Sequence, residues 1–95
     1  MSLPISRYVW FDGKYVSISG NVMIGKGTII KKGSKVIGPI IIGKECIIGP
    51  DTHIGPNTSI GDNSKLAKCD IKNSIIMPGC NIDGNFKIRD SIIAY

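Results

Sequence analysis

The 95-residue sequence has one histidine, one tryptophan and three cysteines. It also lacks any unbroken apolar run of the roughly 18 residues from which a membrane-spanning helix is made. A single imidazole, His53, leaves little room for general acid–base chemistry built on histidine pairs. Cys46, Cys69 and Cys80 show neither a Cys-x-x-Cys spacing nor a companion histidine, which argues against a zinc site. No basic segment leads into an apolar one at the start, and free thiols suit a reducing compartment, so a cytoplasmic location is expected. Acidic residues are few, 7 against 12 Lys and Arg, for a net charge of +5. That balance attracts polyanions, but the lysines are scattered and the nearest grouping is Lys26, Lys31, Lys32 and Lys35. Neither nucleic acid nor a membrane is expected as a partner, and no cofactor is expected in this chain.

The helical period of 3.6 is missing as well. A period of six stands in its place. Aliphatic residues recur at Ile18, Ile24, Ile30, Val36, Ile42, Ile48, Ile54, Ile60 and Leu66. Two positions ahead of each runs a second series of mostly small or β-branched residues: Val22, Thr28, Ser34, Ile40, Cys46, Thr52, Thr58 and Ser64. After Leu66 the steps shorten to five or six, and the pairs continue as Cys69/Ile71, Ser74/Ile76, Cys80/Ile82, Phe86/Ile88 and Ser91/Ile93. Residues two apart on a strand share a face, so each pair points inward and the residue between points out. The three cysteines therefore read as small buried hydrophobes.

Between pairs the chain must turn. Pro50-Asp51, Pro56-Asn57 and Pro78-Gly79 place proline before a residue tolerant of positive φ, the signature of a type II turn. Gly27, Gly33 and Asn63 fill the same second slot elsewhere. Pro39 also falls there and cannot take positive φ, so the Gly38–Ile40 corner must turn differently. This hexapeptide pattern resembles the left-handed parallel β-helix family. The resemblance implies an all-β fold of triangular coils, three repeats and about 18 residues each, stacked at about 4.8 Å. Handedness comes from that resemblance, since the general crossover rule favours the right-handed form. Fourteen inward aliphatic positions from Ile18 to Ile93 give four to five coils.

Every third repeat stacks, which sorts the outward residues into three faces. One carries Ser17, Lys35, His53, Asp70 and Lys87 and is polar. The next carries Met23, Ile41, Ser59, Ile75 and Ile92. The third carries Ile29, Ile47, Lys65 and Asn81. Met23, Ile41, Ile75 and Ile92, with Ile29 and Ile47 beside them, form an apolar strip where water is expected, and such strips mark partner contacts. The expected partner is another copy of the chain, as a trimer or other homo-oligomer, or a missing N-terminal domain.

Residues 18–95 are assigned to the β-helix, residues 4–17 to a linker or hairpin cap, and residues 1–3 to a start or cloning remnant. "RYVWFDGKYVSIS" holds Asp12-Gly13 between two β-prone runs, a hairpin signal. It would cover the open first coil or lead in from another domain.

Two function classes share this scaffold. The tail from Ile54 to Tyr95 resembles the end of long glucose-1-phosphate thymidylyltransferases, where "IGPYTSIGD", an "NS" pentapeptide step and a terminal "DSLIG" occur in the same order. The matching pieces here are Ile54–Asp62, Asn73-Ser74 and Asp90–Ala94. Mannose-1-phosphate guanylyltransferases have a similar tail. In these enzymes nucleotidyl transfer belongs to an N-terminal domain with a "GxGTRLxPxT" phosphate loop, which this sequence lacks. The resemblance therefore implies a non-catalytic C-terminal domain for assembly and positioning. The alternative is an acetyl-CoA-dependent acyltransferase acting on an amino-sugar phosphate. Bifunctional relatives of that kind carry "PHLSYVGDS", whose histidine is the base. Aligning the shared "DS" lays Asp83–Ser91 on that motif with Gly84 at the histidine, and glycine accepts no proton. His53, stacked beside Asp70, is then the one catalytic candidate. A free-standing hexapeptide scaffold is the third reading.

Overall fold

The computed structural model describes residues 10–12 and 16–94. Its fifteen strands are two or three residues long, because a corner interrupts the chain every five or six residues. The first coil holds β1 (Trp10–Asp12), β2 (Ser17–Ser19) and β3 (Val22–Ile24). The second holds β4 (Ile29–Lys31), β5 (Lys35–Ile37) and β6 (Ile40–Ile42), and the third β7 (Ile47–Ile48), β8 (His53–Ile54) and β9 (Thr58–Ile60). The fourth holds β10 (Lys65–Ala67), β11 (Asp70–Lys72) and β12 (Ile75–Ile76), and the fifth β13 (Asn81–Asp83), β14 (Lys87–Arg89) and β15 (Ile92–Ile93). Each strand pairs only with those one coil above and below, giving three five-stranded parallel sheets: β1-β4-β7-β10-β13, β2-β5-β8-β11-β14 and β3-β6-β9-β12-β15. The molecule is a left-handed parallel β-helix.

Registers match the face assignment residue by residue. Lys35 lies against His53 and His53 against Asp70. Met23 lies against Ile41, Ile41 against Ser59, and Ser59 against Ile75. Inside, Ile30, Val36, Ile42, Ile48, Ile54, Ile60, Leu66, Ile71 and Ile76 are buried and form one core. Each contributes roughly 1.5–3 kcal/mol by burial, largely offset by the entropy of ordering the chain. At the two ends Ile18, Ile82, Ile88 and Ile93 are only partly covered, having a stacked neighbour on one side.

The second inward series is buried and also makes hydrogen bonds between coils. Thr28 Oγ1 donates to the Gly43 carbonyl at 2.7 Å and accepts from the Cys46 amide at 3.1 Å. In the same column Cys46 Sγ donates to Gly61 O at 3.1 Å and Ser64 Oγ to Met77 O at 3.3 Å. Small residues with a donor suit this slot because the corner carbonyls of the next coil lie above it. Ser91 in the last coil is only half-buried, and Phe86 departs furthest. The pairing pattern points it inward, yet it is 54% exposed. Its column below holds Ser34, Thr52 and Cys69, all buried and small, and a benzyl group exceeds that space, so it turns out toward Gly84.

Except ahead of Val22 and Phe86, where positive φ falls at Gly20 and Gly84, corners follow one rule: the residue just before the small inward residue takes positive φ. This holds at Gly27, Gly33, Asp51, Asn57, Asn63 and Gly79, and also at Glu45, Lys68, Asn73 and Asp90. The shortened steps drop one residue ahead of that position and keep the rest. The Gly38–Ile40 corner does turn differently, since Pro39 does not take positive φ; the Gly38-Pro39 and Gly49-Pro50 peptide bonds are both cis. Glycines after the aliphatic residue answer a separate need. A Cβ on Gly25 would stand 2.6 Å from the Gly43 carbonyl carbon, and one on Gly61 would stand 2.4 Å from Pro78 N.

At the N-terminal end Trp10–Asp12 pairs in parallel with Ile29–Lys31, with Phe11 in register with Ile30. The edge of β4 offers backbone groups that need partners, and β1 supplies them. Residues 13–15, where the hairpin turn was expected, lie outside the described residues, as do 1–9 and Tyr95.

Two substitutions measure these contacts. Ile54→Ala should lower unfolding free energy by about 2–5 kcal/mol, read by denaturant titration. Gly61→Ala should cost about 1–3 kcal/mol through overpacking against Pro78, with the exposed Ser19→Ala near neutral as control.

Candidate functional site

His53 sits on β8 with its imidazole toward water, between Lys35 on β5 and Asp70 on β11. A catalytic base needs an orienting partner and a substrate-sized recess. Asp70 is held by another residue: Arg89 Nη2 donates to Asp70 Oδ2 at 3.1 Å and Arg89 Nη1 to the Asp70 carbonyl at 3.0 Å. Asp70 Oδ1 is buried without a hydrogen-bond partner. The hollows beside His53 are small, about 160 Å³ toward Lys35 and Lys72 and about 190 Å³ toward Lys68 and Phe86. Gly84, which takes the histidine's place in the acyltransferase alignment, has φ +133° and is followed closely by the Phe86 ring. The geometry brings His53 and Asp70 side by side without joining them into a proton-transfer pair.

The thiols are no better placed for chemistry. Cys46, Cys69 and Cys80 are free and buried. Burial, with Asp70 next in effect, pushes the Cys69 thiol up to about 11, and burial raises Cys46 as well. Among the described residues no three His, Cys, Asp or Glu side chains gather as metal ligands.

The larger feature lies on the sheet of β3, β6, β9, β12 and β15. Met23 and Ile41 are each 57% exposed, Ile75 45% and Ile92 70%. Half-buried Ser59 stands at the middle of this column. Beside it runs a groove of about 390 Å³ lined by Met23, Pro39, Ile41, Asn57, Ser59 and Ile75, among others. A second hollow of about 330 Å³ continues it past Asn73, Asp90 and Ile92. Ile29 and Ile47, the other two strip candidates, are only half-buried members of the neighbouring sheet. Four of the exposed large apolar side chains thus share one face, while Ile37, Met77 and Phe86 are exposed elsewhere. The groove's polar rim, Asn57, Asn73 and Asp90, was not singled out from the sequence as a surface. These are the positive-φ corner residues, and their stacking at one corner was the available signal. Asn73 Nδ2 donates to Asp90 Oδ1 along that rim.

With this geometry in view, comparisons with known proteins narrow the reading. The family model for the GMPPB C-terminal domain matches residues 36–95. Among solved structures, serine acetyltransferase isoform 3 from Entamoeba histolytica, in complex with cysteine, superposes with a TM-score of 0.76 at 20% identity. That match covers 85% of this chain and 33% of the acetyltransferase chain. The acetyltransferase domain of PglB from Neisseria gonorrhoeae FA1090 matches with a TM-score of 0.46 at 15% identity, covering 95% of this chain and 48% of that one. The 20% identity of the serine acetyltransferase match shows a shared fold alone, and the chain spans a third of that protein. No curated protein sequence matches the chain.

The thiols give a pH prediction. A raised pKa in the folded state means that the unfolded chain loses the thiol proton first, so stability falls as pH rises. Denaturant midpoints should hold steady below about pH 9 and decline between 9 and about 11; Cys69→Ser should flatten part of that decline. A midpoint that rises over this range would contradict the burial account.

Proposed function

The chain belongs to the GMPPB C-terminal domain family, the β-helix domains of sugar nucleotidyltransferases, and from that footing we propose that it assembles and positions a nucleotidyltransferase without catalysing a reaction itself. The observation that carries this reading is the family match over residues 36–95. The tail pieces Ile54–Asp62 and Asp90–Ala94 support a parent enzyme of the glucose-1-phosphate thymidylyltransferase kind, acting in nucleotide-sugar biosynthesis. Three buried free thiols fit work in the cytoplasm. The exposed column Met23, Ile41, Ile75 and Ile92 supplies the contact surface, since a protein–protein contact of useful strength needs a contiguous apolar centre.

The acyltransferase alternative shares the fold and asks for a base. With Gly84 at the expected histidine and Asp70 bound to Arg89, only an unassisted His53 is left to serve.

Enzyme assays separate the two. The chain alone should transfer no acetyl group from acetyl-CoA to glucosamine-1-phosphate and form no nucleotide sugar from dTTP and glucose-1-phosphate. Robust acetyl transfer that disappears in His53→Ala would overturn the proposal. A longer protein joining this chain to a Gly-rich phosphate-loop domain should make dTDP-glucose in preference to GDP-mannose; the reverse preference would move the parent to the guanylyltransferases.

A further inference from the structure

The residues on either side of each inward aliphatic point outward, so the His53 face carries two stacked columns. Lys35, His53, Asp70 and Lys87 form one. The other holds Ile37, Gly55, Lys72 and Arg89, since Gly55 follows Ile54, which is in register with Val36 below and Ile71 above. Gly55 leaves a gap in its column, and Lys72 lies across it. A Cβ on Gly55 would press on Lys72 Cγ and stand 3.1 Å from its Cδ and 3.2 Å from its Cε. The Lys72 stem thus lies flat over the third coil instead of standing off the sheet. Its ammonium ends beside His53, above the coil that holds Lys35. Between them is the hollow of about 160 Å³ lined by Lys35, His53, Gly55, Asp70 and Lys72, among others.

Charge in this hollow is one-sided. Neither Lys35 nor Lys72 has an ion-pair partner among the described residues. Asp70 lines the hollow too, but its Oδ2 accepts from Arg89 at 3.1 Å and its Oδ1 is buried from solvent. An anion entering beside His53 therefore meets N–H donors and no open carboxylate oxygen. One exposed contact of this kind is weak; donors from three successive coils converging on one point are stronger together. That arrangement suits an acceptor whose oxygens point several ways from one atom, as in phosphate, better than a flat carboxylate. A hollow this small takes one phosphate and the first atoms attached to it, not the row of phosphates that a nucleic acid presents.

We propose that the hollow between Lys35, His53 and Lys72 binds the phosphate group of a small phosphate monoester. It lies on a different face from the Met23 column, so its test is independent of the assembly reading. Occupancy would offset the positive charge of this face and change what can dock against it.

The chain has a single histidine, so one imidazole resonance in a proton NMR spectrum reports on the site. Sodium phosphate, titrated at fixed pH and at an ionic strength held constant with sodium chloride because exposed charges are screened, should move that resonance along a saturating curve. Lys35→Gln/Lys72→Gln keeps most of both stems and should weaken the apparent affinity at least tenfold. Lys44→Gln/Lys65→Gln removes the same charge elsewhere and should change it less than twofold. Gly55→Ala removes no charge but displaces Lys72, and should weaken binding at least threefold. Glucose 1-phosphate, titrated in the same way, identifies the source. Tighter binding than inorganic phosphate means that the ester is read, and equal binding means that phosphate alone is; both uphold the site. A shift that never saturates, equal losses in the two double variants, or unchanged affinity in Gly55→Ala would overturn it. Should Gly55→Ala fail to fold, the two double variants decide, since all four lysines face water.

Discussion

Every coil of this molecule is held by the in-register parallel ladder to the coils above and below it, and most of the remaining structure follows from that constraint. With stacked residues about 4.8 Å apart, each position must suit the residue one coil away as well as its own neighbours. Inward isoleucines therefore stand on isoleucines. Gly25 must lack a side chain because the Gly43 backbone passes where its Cβ would be. Thr28, Cys46 and Ser64 occupy one column because each can donate a proton to a corner carbonyl of the next coil. Buried donors that satisfy such carbonyls cost far less than unpaired ones. Ser34 Oγ, buried without a partner, shows that the ladder is not filled at every rung.

Much of this was legible because a strict repeat turns a three-dimensional stacking rule into a sequence spacing. The inward pairs, the membership of each face and the positive-φ slots at Gly27, Asp51 and Asn57 could all be read by counting. What escaped counting shares one feature: it depends on size or on a partner absent from the local pattern. Phe86 obeys the spacing but is too large for the slot. Glu45 and Lys68 take left-handed conformations that their side chains do not advertise, because stacking fixes the corner whatever residue fills it. The parallel pairing of Trp10–Asp12 with β4 lies ahead of the first repeat that counting finds. Arg89 holds Asp70 across sequence distance, and no local signal reveals that His53 loses its obvious partner.

The same rule shapes function. The interior of the solenoid is filled by its own repeat, and its three sides differ in what they present. One side carries lysines, a histidine and the Arg89–Asp70 pair; another mixes isoleucine with lysine; the third presents isoleucine, methionine and serine. His53 drew attention as the one histidine in the chain, yet its surroundings are those of a solvated face. The uncharged side is where the sequence departs from what water alone would favour.

Hydroxyl-radical footprinting over a dilution series tests the assembly reading most directly, because it reports side-chain access on all faces at once. The account predicts that Met23, Ile41, Ile75 and Ile92 become protected together as concentration rises, while His53 keeps its reactivity. Equal reactivity of Met23 at every concentration, or protection centred on His53, would contradict it.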